Sequence, residues 1–228
     1  MIVVITGASK GIGREICKHL IKQKHSVINL SRTKCTIKKV KNYRCEISDY
    51  SEVKKVFKKI KKLDVLINNS GIGEFNNNDI ETFDKILKVN LNGAFYCSYE
   101  ASKILKKKKL GSIINICSIN AYQAFPDNPG YVSSKGGLLS LTKSFALDLS
   151  KYKIRVNSVS PGYIRTDMTR KSYLSKKENK KRLDRMMIKR WGEPKDLLGI
   201  IDYLTSKSSS YSTGQDYVVD GGWISKGL

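Results

Sequence analysis

A doubly wound α/β fold on a parallel, Rossmann-type sheet is predicted by three observations. Short β-branched runs alternate with longer amphipathic stretches, the strand runs are almost continuously apolar, and a glycine-rich turn follows the first of them at once. Continuous apolar strands separated by helical segments imply a sheet covered by helices on both faces. The 228 residues, 40% of them hydrophobic, suffice for one sizeable core and are read as a single domain over 1–228.

The first strand is IVVIT at 2–6, and TGASKGIG at 6–13 turns it into a helix that begins near Ile12 and runs on through REICKHLIKQ. SVINL at 26–30 is the second strand. Only SRTKCTIKKVKN separates it from a short strand in YRCEI, too little for a crossover helix with its connections, so a loop is expected there. DVLINN at 64–69, SIINICS at 112–118, IRVNSVSP at 154–161 and DYVVDG at 216–221 supply the remaining strands, and GGLLSLTKSFALDLS a further helix. The charged stretch 171–189, without Gly or Pro, is read as a movable lid.

The chain enters its first strand directly, without the charged and apolar regions of a secretory leader, and no apolar run approaches the roughly 20 residues of a membrane span. A cytoplasmic location is expected. The five cysteines show no CxxC spacing and are read as reduced thiols. With only His19 and His25 available, a histidine-rich metal centre or a Ser-His-Asp hydrolase is disfavoured, and no metal is expected. The formal charge of +23 attracts phosphates, acidic proteins or anionic membranes without identifying which. KKIKK at 58–62 and KKKK at 106–109 fall at helix ends and turns, not interleaved with aromatics, so they are read as solvated surface, with no nucleic-acid or membrane partner.

Ligands in such sheets lie beyond the carboxyl ends of the strands. After the first strand, Gly7, Gly11 and Gly13 allow close approach to a pyrophosphate, and the following helix N-terminus offers N–H donors. After the second strand, where NAD-selective sites place a carboxylate for the ribose, this chain has Ser31-Arg32. Arg32, with Lys10 from the glycine-rich turn, suits a 2′-phosphate, so the expected cofactor is NADP(H).

Tyr131 and Lys135 are spaced i, i+4 on one helical face. A phenol titrating at about 10 is a poor acid–base group at neutral pH, and a nearby ammonium favours its phenolate. Ser118 ends the strand SIINICS, so its hydroxyl and that of Tyr131 can grip one carbonyl oxygen, Tyr131 delivering the proton.

TGASKGIG (6–13), NNSG (68–71), Asn90, Ser118, YVSSK (131–135) and PGYIRT (161–166) together resemble, in order and spacing, the short-chain dehydrogenase/reductase family across essentially the whole chain. The resemblance implies a catalytic tetrad of Asn90, Ser118, Tyr131 and Lys135, with Asn90 holding a proton-relay water. It further implies a cofactor lined by Ser9, Lys10 and Ile12 in the first turn, Glu46 and Ile47 at the adenine, and Asn68, Ser70 and Gly71 along the groove. Lys135 would also hold the nicotinamide ribose, next to Tyr131, and Pro161, Gly162, Ile164 and Thr166 would lie by the nicotinamide carboxamide. The closing pattern KRWGEPKDL…STGQDYVVDGGW is similar to bacterial 3-oxoacyl-acyl-carrier-protein reductases, which implies a homo-oligomer, tetramer or dimer, and an acidic carrier protein or CoA thioester as partner. Ser70 for alanine, Glu46 for aspartate and the missing crossover helix depart from the family pattern.

The expected reaction is NADPH-dependent reduction of a ketone, foremost a 3-oxoacyl thioester. The alternative is a sugar or nucleotide-sugar ketone, because the candidate substrate wall is mixed: Tyr122, Phe125 and Met168 suit an acyl chain, and Asn120, Gln123, Asp127 and Arg170 a polyol. A non-enzymatic NADP-binding regulator is a different class, against which the intact Ser118, Tyr131 and Lys135 argue.

Overall fold

A computed structural model describes residues 1–73 and 79–226. Seven strands, β1 (Ile2–Thr6), β2 (Ser26–Ser31), β3 (Lys41–Arg44), β4 (Val65–Asn68), β5 (Gly111–Ile116), β6 (Ile154–Pro161) and β7 (Asp216–Val219), form one sheet in the order β3-β2-β1-β4-β5-β6-β7. Every neighbouring pair is parallel. The order reverses between β1 and β4, which opens a crevice at their carboxyl ends.

Successive strand residues point to opposite faces, so β1 feeds both layers. Val3 and Ile5 pack with Ile16, Cys17 and Leu20 of α1 (Gly11–Lys22) and with Ile201 and Leu204 of α8 (Leu198–Thr205). Those α1 positions follow helical spacing and turn one stripe to the sheet. His19 joins the two helices through Asp202 at 2.9 Å, a structural use of that histidine. On the other face Val4 and Leu66 pack with α2 (Tyr50–Phe57), α4 (Gly93–Lys108) and α5 (Pro129–Ser150). Asp49 caps α2 by accepting the Ser51 N–H at 2.7 Å, and Pro129 opens α5 at the position where its missing N–H is harmless. Between α3 (Ile80–Leu87) and α4 the helix passes through one π-turn, Lys88–Asn92.

No helix joins β2 to β3. Residues 32–40 run back as an irregular strap whose Cys35, Ile37 and Val40 fill the α1 layer in its stead. Asn42 staples it: its Oδ1 accepts the Cys35 N–H at 2.8 Å, and its Nδ2 donates to the carbonyls of Cys35 and Val40. The third strand lies two residues earlier than YRCEI suggests, and β5 stops at Ile116, so Ser118 stands in the turn beyond the strand. All five cysteines are free and buried, and burial pushes the Cys17 and Cys45 thiols up to about 12, so they stay protonated. Among the described residues no helix is long and apolar enough to cross a membrane, and no cluster of ligating side chains suits a metal.

Four of the turns at the amino edge of the sheet share one feature. Lys24, Lys39, Lys109 and Lys153, just before β2, β3, β5 and β6, all have left-handed backbones, with φ of 64, 70, 54 and 56°. A side chain there costs about 1 kcal/mol or more, and glycine is the usual occupant. Lys109→Gly is therefore expected to raise stability by about 0.5–1 kcal/mol, read as a higher urea midpoint at unchanged slope.

Candidate active site

The carboxyl ends of β1 and β4 are tied together. Thr6 Oγ1 accepts the N–H groups of Asn69 and Ser70, each at 3.0 Å, and Asn69 Nδ2 donates to the carbonyls of Thr6 and Gly7, also at 3.0 Å. Gly13 permits this, since a Cβ there would lie 2.3 Å from Asn69 Nδ2 and 2.5 Å from the Gly7 oxygen. Gly7 turns the chain with φ of 71°. Beyond it Ala8 N–H bonds to Asn29 Oδ1 at 3.0 Å, and half-buried Ser9 leads to Lys10, the extended residue that opens α1. Lys10 makes no side-chain cap, so the N–H groups of Gly11, Ile12 and Gly13 are left as donors. Gly11 faces Thr166, whose Cγ2 lies 3.6 Å from where a Cβ would stand. This donor-lined cradle, closed to side chains at Gly13, fits a pyrophosphate.

At the adenosine end, exposed Arg32 meets a carboxylate that the end of β2 lacks: its Nη1 is 3.6 Å from Glu46 Oε2. Glu46 also accepts the Ser48 hydroxyl at 2.9 Å. Ile47 turns its side chain into the core. Asn68 likewise directs its amide inward, to Asn115 Oδ1 at 2.8 Å and Ser98 Oγ at 2.9 Å.

At the reacting end, Lys135 is only 4% exposed, with Nζ 2.8 Å from the Ile116 carbonyl and 5.5 Å from the Tyr131 ring centre. Among the described residues Ile116 is the one hydrogen-bond acceptor of this three-donor group, so a buried ammonium retains donors for a ligand hydroxyl. Cys117 Sγ is 3.1 Å from the Lys135 carbonyl, which fixes α5 to the same strand end. Ser118 follows at once, its Oγ accepting the Asn120 N–H at 3.1 Å. Ser118, Tyr131 and Lys135 thus share the carboxyl end of β5. Asn90, 1% exposed, sits in the π-turn, where its amide takes both the N–H and the carbonyl of Ile72 and donates to Ser134 Oγ at 3.1 Å. It holds the segment at Gly71 against α5, and a Cβ on Gly71 would lie 3.8 Å from Lys135 Nζ.

Pro161 ends β6 paired with Val219 of β7, and Gly162 continues beside that strand, its N–H bonding to the Val219 carbonyl at 2.9 Å. Ile164 is buried and bridges to Gly192, and Thr166 caps the next turn together with Thr169. Tyr163 lies at the centre of an aromatic cluster with Phe125, Trp191 and Trp223, at ring separations of 6.3, 5.3 and 4.7 Å. The stretch expected as a lid forms α6 (Arg170–Leu174) and α7 (Lys176–Arg185), neither with a buried residue. Met186 and Trp191, both buried, anchor the chain beyond α7. Two residues of the mixed wall are engaged: Gln123 Oε1 accepts Trp223 Nε1 at 2.9 Å, and Asn120 Oδ1 accepts the Ser118 hydroxyl at 3.3 Å. Asn29 escapes a reading of the sequence, as an isolated polar residue with no spacing signal, and Thr6 and Asn120, read there as motif and substrate-wall residues, give no sign of their bonds to Asn69 and Ser118.

The short chain dehydrogenase family matches residues 1–177. The chain is 35% identical to the 3-oxoacyl-[acyl-carrier-protein] reductase of Buchnera aphidicola, over 96% of this chain and 95% of that protein. A 4-hydroxyisoleucine dehydrogenase mutant complexed with NADH and succinate superposes with a TM-score of 0.96 at 31% identity, covering 100% of both chains. A gluconate 5-dehydrogenase from Burkholderia cenocepacia in complex with NADP and tartrate gives 0.95 at 25% identity, over 99% of this chain and 96% of that one.

Gly13→Ala is expected to break the Asn69 clamp, destabilising the fold by about 1–3 kcal/mol and weakening dinucleotide binding at least tenfold, measured by thermal unfolding and by cofactor fluorescence titration.

Proposed function

This chain belongs to the short-chain dehydrogenase family, and on that premise we propose that it is an NADPH-dependent reductase of 3-oxoacyl thioesters. The observation that carries the reading is the buried Lys135 ammonium beside the Tyr131 ring, at the strand end that presents Ser118. Ser118 Oγ donates a hydrogen bond to the substrate carbonyl oxygen and Tyr131 gives its phenolic proton to the alkoxide as it forms. Lys135 stabilises the phenolate left behind and would hold the nicotinamide ribose with its remaining donors. When bound, the dinucleotide supplies the hydride. Asn90 fixes the Gly71–Ile72 segment beside Lys135, where the relay water would be held. Ser9 to Gly13 would hold the pyrophosphate, and Ser70, Pro161, Gly162, Ile164 and Thr166 would line the rest of the cofactor.

Arg32 and Lys10 are assigned to the 2′-phosphate. The exposed Arg32–Glu46 pair is weak enough for a phosphate to displace. The thioester is preferred over a sugar ketone because Asn120 Oδ1 and Gln123 Oε1, on half of the polar wall, each accept a hydrogen bond from another side chain, while Phe125 and Tyr163 meet edge to face beside them. The likeness to the gluconate dehydrogenase keeps a polyol ketone as the second reading. A cytoplasmic homo-oligomer serving an acidic acyl-carrier protein completes the proposal.

Turnover of acetoacetyl-CoA with NADPH, set against a ketose and a nucleotide-linked ketosugar, tests the substrate class; turnover of the sugar alone would replace the thioester. Tyr131→Phe should keep NADPH affinity within about twofold while losing at least about 100-fold in kcat. Arg32→Asp should lower the NADPH-over-NADH preference in kcat/KM at least tenfold, and Glu46→Gln, which frees Arg32, should raise it.

A further inference from the structure

Because every strand is parallel, all the turns that enter strands emerge at one edge, opposite the proposed reaction site. Those turns carry Lys24, Lys39, Lys61, Lys62, Lys109 and Lys153, all exposed, across a row from β3 to β6 that is about 24 Å wide. In 22–26, 38–41, 58–64, 106–111 and 151–154 the one carboxylate is Asp64, which Lys108 pairs. α1, α2, α4 and α5 also end here, but a helix terminus is equivalent to only about half a negative charge. The four lysines that close α4 far exceed that, and Lys24, Lys39, Lys109 and Lys153 accept a left-handed backbone to stand where glycine is favoured. Leu110, 53% exposed, and Met1, 44% exposed, project from the same edge on either side of β4. A groove of about 540 Å³ opens beside them, floored by Ile2, Ile21 and Val27 and rimmed by Lys24, Lys39 and Lys41.

We propose that this edge is a docking surface for an anionic lipid bilayer, leaving the reaction site turned to solvent. Lysine ammonium groups act as diffuse point charges toward a headgroup layer, whereas recognition of nucleic acid draws on arginine forks and open aromatic faces; these turns hold no arginine, and their one aromatic, Tyr152, packs against the core with Lys106 and Lys151 over its ring. Exposed apolar side chains and an apolar groove among the lysines suit an interface with acyl chains beneath it. The expectation of no membrane partner rests on spanning segments and on linear spacing; the fold gathers into one face lysines that lie far apart in sequence.

The test is co-sedimentation of the purified protein with phosphatidylcholine vesicles, with and without about one-third phosphatidylglycerol, at about 0.1 M and 0.5 M salt. Binding is expected only to the anionic vesicles and only at low salt. Reversing Lys61, Lys62 and Lys107 to Glu should weaken it more than tenfold, while reversing Lys176, Lys177 and Lys180 on α7, an equal change in net charge, should alter it less than twofold. Leu110→Ser, which keeps every charge, should weaken vesicle binding several-fold and covers the case in which the first triple variant fails to fold. Absence of anionic-vesicle binding, equal loss in both triple variants, or displacement of the protein by duplex DNA at matched phosphate concentration would overturn the proposal.

Discussion

Thr6 and Asn69 hold the carboxyl ends of β1 and β4 at a separation set by hydrogen bonds of 3.0 Å, and the rest of the site is arranged around that contact. The strand order reverses at this point, so the layers on either side diverge and leave a crevice. The clamp brings the first turn of α1 so close to Asn69 that residue 13 can carry no side chain. One steric requirement therefore determines both the approach of α1 to the sheet and the exposure of its first N–H groups.

A chain of buried polar groups carries this order to the reacting end. Asn68 at the end of β4 bonds to Asn115 of β5, whose own amide donates to Thr142 of α5 at 2.9 Å, and Thr142 bonds on to the Leu138 carbonyl. Such groups are expensive to bury unless satisfied, and once satisfied they select one register of helix on sheet. The helix that presents Tyr131 and Lys135 is thus held to β5 by side chains at both ends of its inner face. Apolar packing alone would tolerate a sliding helix; these bonds do not.

Much of this is legible in local sequence. Strand runs such as IVVIT and IRVNSVSP lie where their apolar residues predict, because burial on both faces writes a continuous signal. The missing crossover helix is legible too, since too few residues remain for one. The limits come from partners distant in sequence and from ends of elements. Asn42 as the staple of the strap, Glu46 beside Arg32 and Asn120 behind Ser118 each depend on how a turn folds back, and turns leave little periodicity to read. The end of β5 at Ile116 has the same origin, since NICS continues the strand pattern while the backbone already enters a turn.

The strap at 32–40 bears on how the molecule assembles. Parallel strands are ordinarily joined through a long crossover, and the ring that must close before they pair makes such pairing slow. Here β2 and β3 pair after an excursion shorter than a helix with its two connections, so the entropy lost on closing that loop is small. The β2–β3 edge is therefore the segment best suited to zip early in folding, a local parallel hairpin-like unit onto which the remaining strands, with their far wider separations, can condense.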